Sequence, residues 1–187
     1  MKELEERIKE EAIVLPGDVV KVGGFINQLV DIKLLSSMAK EVKRLFNTKI
    51  DKVLTIEASG LPFATAIALE YNVPMVFAKK TLTSNVSGDV IYSPVYSYTH
   101  KSLNYISINK EYIKKDESVL IADDFLALGN ALSGLIDLTE KCGGIVVGCV
   151  IQVEKEYQNG GNKLRDLGYR VESLAKIKAI ENNEIIF

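Results

Sequence analysis

Residues 119–133 read VLIADDFLALGNALS. The first four have the composition of a buried parallel strand, and the apolar run stops at two adjacent carboxylates, Asp123 and Asp124. A short loop at 125–130 and a helical pattern from about Ala131 follow. In open α/β sheets ligands sit beyond the carboxyl ends of the strands, so this order of residues outlines a site. Backbone N–H groups where a helix begins can hold a phosphate, and carboxylates one loop away suit sugar hydroxyls or a Mg²⁺ ion. Taken alone, the pattern also fits an ordinary strand and loop with surface aspartates.

A second turn repeats the theme. Glu57-Ala58-Ser59-Gly60 follows the apolar run KVLTI and precedes a helix with Pro62 in its first turn. On one sheet edge, two anion-receptive turns can grip a ligand with a phosphate at one end and a diphosphate at the other. By itself the Glu57–Gly60 turn is equally an ordinary strand-to-helix connection. Lys79 and Lys80 close the next strand, as ligand cations or as solvated lysines. Lys155 stands between Glu154 and Glu156, which by itself reads as a solvated charge run.

Such turns need a sheet to position them. Strand, helix and strand are expected at 51–57, 62–71 and 73–79, and again at 119–122, 130–141 and 145–153. Two right-handed crossovers of this length make a doubly wound, mainly parallel α/β sheet flanked by helices. Upstream lie a charged helix at 1–11 with Leu4 and Ile8 on one side, extended pieces at 12–15 and 19–22 around Pro16-Gly17-Asp18, and a helix at 32–46 capped by Asp31. Residues 80–115 break the alternation. An antiparallel pair is expected at 90–98 and 103–108, preceded by a polar, mobile stretch at 81–89. The chain should finish with a loop at 154–161, a short helix at 162–167, an extended piece at 169–180 and an edge strand at 184–187.

With 187 residues, 47% apolar and 26% charged, the chain suits a single soluble domain spanning 1–187. Its 23 basic against 25 acidic residues, with no concentrated basic block, argue against nucleic acid. No apolar run approaches the roughly 18 residues of a membrane span, and the charged start MKELEERIKEE is no secretory signal. Cys142 and Cys149 lie in apolar surroundings, and with one histidine a structural zinc site is not expected. The expected compartment is the reducing cytoplasm.

The stretch from Val119 resembles the phosphoribosyl-diphosphate (PRPP) signature of type I phosphoribosyltransferases: an apolar strand, two acids, two apolar residues and a small-residue loop with glycine. The resemblance to bacterial members that use xanthine covers essentially the whole chain, including TIEASGLP, VPMVFAKK, ADDFLALGNA and the tail VIQVEKEYQNGGNKLRDLGYRVESLAKI. It implies that Asp123 and Asp124 contact the ribose, and that Ala127, Leu128, Gly129, Asn130 and Ala131 wrap the 5′-phosphate. The common family loop has threonines where Leu128 and Ala131 stand, so backbone N–H groups and Ser133 would replace two hydroxyls. Ala58, Ser59, Gly60, Lys79 and Lys80 would hold the pyrophosphate, the lysines in cis or across a dimer. Val20, Asn27 and Lys155 would form the base pocket, Lys155 donating to the purine O6. A hood from about 1–30 and the C-terminal segment, and a flexible active-site loop at about 80–102 with Tyr92, Tyr96 and Tyr98 nearby, complete the expectation.

The implied activity is transfer of 5-phosphoribosyl from PRPP to N9 of xanthine, giving XMP and pyrophosphate in purine salvage. Mg²⁺ would be bound mainly through PRPP rather than by protein ligands alone, and the protein would be a homodimer without nucleic-acid or membrane partners. Some relatives that use hypoxanthine or guanine carry an acid where Ala127 stands. Transfer to hypoxanthine or guanine, and a non-catalytic PRPP-sensing regulator, remain as alternatives.

Overall fold

The computed structural model describes residues 1–17, 19–80, 88–97 and 102–187. The chain opens with α1 (Lys2–Glu11), which buries Leu4 and Ile8. A small antiparallel hairpin follows, β1 (Ile13–Leu15) with β2 (Val19–Lys21). A widened helical turn over Gly23–Asn27 buries Phe25 and Ile26 and leads to α2 (Ile32–Leu45). Asp31 caps α2 as expected, its carboxylate accepting from the N–H groups of Lys33 at 3.0 Å and Leu34 at 3.1 Å. A cap of this kind is worth about 1 kcal/mol.

Then come β3 (Lys52–Ile56), α3 (Leu61–Tyr71) and β4 (Met75–Ala78). The hairpin β5 (Val90–Ser97) and β6 (Ser102–Asn109) is antiparallel, pairing Val90 with Asn109 and Tyr96 with Leu103. β7 (Ser118–Leu126), α4 (Asn130–Lys141), β8 (Ile145–Lys155), α5 (Gly160–Asp166) and β9 (Val171–Ile177) complete the main body. Of the expected active-site loop at about 80–102, residues 81–87 and 98–101 lie outside the described residues, Tyr98 among them, whereas 90–97 form β5.

The central sheet is parallel throughout, in the order β4-β3-β7-β8-β9. It is covered on both faces, which is why its strands read as continuous apolar runs. One core joins Val53, Leu120, Ala122 and Val150 to α1, α2 and α3 through Ile8, Met38, Val42 and Ile67. The other joins Leu54, Ile121, Cys149 and Ile151 to α4 and the hairpin through Leu135, Leu138 and Ile106. Both cysteines pack in this second core.

Two expectations about element ends are corrected. β7 does not stop at Ala122 but runs to Leu126, because β8 is long enough to keep pairing, Phe125 with Val153 and Leu126 with Glu154. The last strand, β11 (Glu184–Ile186), is not an edge of the main sheet. It turns back through Asn182 and Asn183, both at positive φ, onto β10 (Ala179–Glu181). Asparagine tolerates that left-handed geometry, so a local hairpin closes before the strand can reach the sheet.

Candidate active site at the switch point of the sheet

β3 and β7 are neighbours whose crossovers leave in opposite directions, β3 through α3 to β4 and β7 through α4 to β8. Their carboxyl ends therefore border the crevice at which the strand order reverses, where open α/β sheets receive ligands. Both turns singled out in the sequence lie here.

Asp123 and Asp124 sit inside β7 and are 4% and 8% exposed, so they are not surface aspartates. The N–H of Asp124 donates to Asp123 Oδ1 at 3.0 Å. Burial pushes the Asp123 carboxyl well above its ordinary range, the Asp124 charge adds to this, and Lys80 opposes it. A buried like-charged pair favours whatever neutralises it, such as sugar hydroxyls, a proton or a cation.

The other turn meets this pair directly. A Cβ on Gly60 would collide with Thr55 Oγ1 and lie 2.8 Å from Asp123 Oδ1. Thr55 is fully buried, and its hydroxyl has no hydrogen-bond partner among the described residues. The main chain of this turn is tied to the next strand: Glu57 N–H donates to Ala78 O at 3.1 Å, and Lys80 N–H donates to Glu57 Oε1 at 2.7 Å. The Glu57–Ala58 peptide is cis. Lys79 exchanges two main-chain hydrogen bonds with Ser107 of β6, while the side chains of Lys79 and Lys80 are exposed. Ala58 is exposed and Ser59 half-buried beside them.

The loop Ala127-Leu128-Gly129 turns through Gly129 at φ 87°, a left-handed conformation suited to glycine. Its side chains are not free donors. Asn130 Nδ2 donates to Tyr96 O at 3.0 Å, and the Ser133 hydroxyl donates back to Gly129 O at 3.0 Å. The Ser133 hydroxyl is thus engaged with the main chain of its own loop. What the loop offers is main-chain N–H, from residues 127–131 at the start of α4.

Of the base-pocket candidates, Asn27 reaches the carboxylates, its Nδ2 donating to Asp124 Oδ2 at 3.4 Å. The Val20 side chain is packed in the core, and its main chain lies opposite Val14 in the β1–β2 hairpin. Lys155 ends β8, half-buried, one residue after Glu154, which pairs with Leu126 of β7. Tyr92 and Tyr96 are exposed on β5. Sequence reading missed Thr55, hidden in an apolar strand, and Gly160, whose N–H donates to Ala127 O at 3.1 Å. The Gly160-Gly161 pair was the available signal, since adjacent glycines mark a close backbone approach.

Among the described residues, no group of three or more His, Cys, Asp or Glu side chains is placed to hold a metal, and no helix is long and apolar enough to cross a membrane. Asp123 and Asp124 are oxygen donors of the kind that Mg²⁺ accepts.

A parallel sheet with two strand-to-helix turns around a buried acidic pair is the arrangement in which open α/β sheets receive ligands. A family model for the phosphoribosyl transferase domain matches residues 26–182, and the chain belongs to that family. Relatives named xanthine phosphoribosyltransferase are similar end to end. The Clostridium tetani protein is 45% identical over 100% of both chains, and that of Limosilactobacillus reuteri 43% identical over 100% of this chain and 98% of its own. The fold is shared with adenine phosphoribosyltransferase from Thermoanaerobacter pseudethanolicus, at TM-score 0.77, 22% identity, and coverage of 94% of this chain and 98% of that one. A Trypanosoma brucei adenine phosphoribosyl transferase, solved with AMP, pyrophosphate and ribose-5-phosphate, gives TM-score 0.77 at 19% identity, covering 92% of this chain and 79% of that one.

Proposed function

We propose that this protein transfers the 5-phosphoribosyl group from PRPP to N9 of xanthine, giving XMP and pyrophosphate. The observation that carries the reading is the buried Asp123–Asp124 pair standing against Gly60 of the second turn, so that two phosphate-receptive turns flank one acidic pair. The full-length similarity to relatives named xanthine phosphoribosyltransferase supports the choice of base.

In this reading the 5′-phosphate lies on the main-chain N–H groups of Ala127, Leu128, Gly129, Asn130 and Ala131. The diphosphate lies on Ala58, Ser59 and Gly60, with Lys79 and Lys80 adding charge. Asp123 and Asp124 hold the ribose hydroxyls and stabilise positive charge developing at the anomeric carbon as the bond to diphosphate breaks. Mg²⁺, which PRPP oxygens would mainly hold, would supply neutralisation of the departing diphosphate when bound. N9 of the base forms the new bond and loses its proton. Lys155 donates to O6, which rejects a 6-amino purine because both partners would then be donors. The main chain of Val20 and the amide of Asn27 border the base from the N-terminal hood. The same reading makes the protein a cytoplasmic homodimer.

The test is steady-state product formation from PRPP and Mg²⁺ with xanthine, guanine, hypoxanthine and adenine supplied separately. Highest kcat/KM with xanthine is expected. Preference for another base discards the substrate, and PRPP binding without turnover on any base discards the reaction.

A further inference from the structure

We propose that the Glu154–Arg165 ion pair and the Gly160-Gly161 turn beside it are a positioning device that holds the phosphate loop and Lys155 in one frame. The proposal rests on the reading of the site as a phosphoribosyltransferase centre. Glu154 is 1% exposed and precedes Lys155 at the end of β8. Its carboxylate takes a two-pronged pair from Arg165, Nη1 to Oε1 at 2.9 Å and Nη2 to Oε2 at 2.7 Å, and accepts from Ser173 Oγ at 2.6 Å. Arg165 is itself fixed, donating from Nε to Val171 O at 3.1 Å and from Nη1 to Asn162 Oδ1 at 3.0 Å. Burial pushes the Glu154 carboxyl up, but the Arg165 and Ser173 hydrogen bonds outweigh it and hold the group below its usual range.

Two successive glycines carry this anchor to the phosphate loop. A Cβ on Gly161 would collide with Glu154 Oε1 and lie 2.7 Å from Arg165 Nη1. A Cβ on Gly160 would collide with Ala127 O, lying 2.5 Å from the carbonyl carbon of Leu128 and 2.6 Å from the Gly129 nitrogen. Gly160 N–H also donates to Ala127 O at 3.1 Å. The first turn of α5 is thus wedged between the carboxylate that precedes Lys155 and the backbone that meets the phosphate. Because Asn130 and Ser133 have their side chains engaged elsewhere, the loop's affinity depends on how its N–H groups are aimed. That aim is set by this wedge. A buried ion pair adds little net stability over an apolar pair of the same size, and fixed geometry is the benefit it brings here.

The test compares wild type, Gly160→Ala, Arg165→Lys and Arg165→Met in three measurements: thermal unfolding, calorimetric binding of ribose 5-phosphate, and KM for PRPP and xanthine with kcat. Gly160→Ala should weaken ribose 5-phosphate binding and raise KM for PRPP by about tenfold, with KM for xanthine moving less than about twofold. Arg165→Met should raise both KM values, and Arg165→Lys should recover part of each. Lower unfolding temperatures with unchanged KM values and ribose 5-phosphate affinity would show a merely structural role and overturn the proposal. So would an equal rise in both KM values for Gly160→Ala. If wild type turns over while ribose 5-phosphate binds all four proteins alike, the coupling fails and the enzyme assignment stands. If wild type neither turns over nor binds the sugar phosphate, both fall.

Discussion

Asn27 and Asp124, 97 positions apart in sequence, meet as amide and carboxylate at 3.4 Å, joining the N-terminal hood to the acidic pair of β7. The contact ties the segment before α2 to the buried acidic pair. Asp124→Asn should lower kcat by about a hundredfold or more, as losing a charge aimed at the transition state does. Its unfolding temperature should stay within a few degrees of wild type. Unchanged turnover would remove Asp124 from the site. Asn27→Ala should be milder and show in KM for xanthine, because in the proposed site the amide would border the base and touch no bond that breaks.

Asp123 yields a prediction about stability and pH. Its carboxyl titrates well above the ordinary range in the folded chain because of burial and the charge of Asp124. A group whose folded value is raised binds its proton more tightly when folded. It therefore favours folding while protonated and loses that contribution as pH rises from the unfolded value of about 4. Asp123→Asn removes the loss. The variant should be inactive yet more stable than wild type in the absence of ligand, with the gap in unfolding temperature widening from about pH 4 towards neutrality. A gap that is flat or narrows across that range would show that Asp123 does not carry the buried charge.

Gly60→Ala tests the contact between the two turns. The added methyl has Thr55 Oγ1 and Asp123 Oδ1 in its way, and both belong to strands packed on two faces. Overpacking of this kind costs about 1–3 kcal/mol, or several degrees of unfolding temperature for a chain this size. KM for PRPP should rise as well, since the turn must move away from the acidic pair. Paired variant Gly60→Ala/Thr55→Ser leaves the γ-oxygen in place and should not recover stability, whereas Gly60→Ala/Thr55→Ala removes it and should recover part.

Lys155→Met keeps an unbranched side chain, one atom shorter, and removes its charge and donors. It should raise KM for xanthine by about tenfold or more, the cost of leaving an O6 carbonyl without its donor, while KM for PRPP changes little. Relative activity with adenine should increase, because the element that rejects a 6-amino group is gone. A parallel loss on all four purines would place Lys155 outside the base pocket.

Much of the architecture was legible because parallel strands buried on both faces must be apolar throughout, and helices that cover them must be apolar at a 3.6-residue spacing. That marked both crossover units and the Asp31 cap, and the order of motifs carried the resemblance to a family. Composition and motif could not say where β7 ends. Two carboxylates look like the end of a strand until β8 is seen to pair beyond them, so the burial of Asp123 and Asp124 is a property of the sheet. Nor could sequence show that Asn130 and Ser133 are already engaged, or that Gly160 rests on Ala127, since those contacts join segments distant in the chain or depend on a particular rotamer. The sequence by itself determined the layers, the crossovers and the kind of chemistry. Only the tertiary structure decided which groups face the ligand crevice with their hydrogen-bonding capacity unspent, because that depends on which atoms the fold brings within about 3 Å of one another.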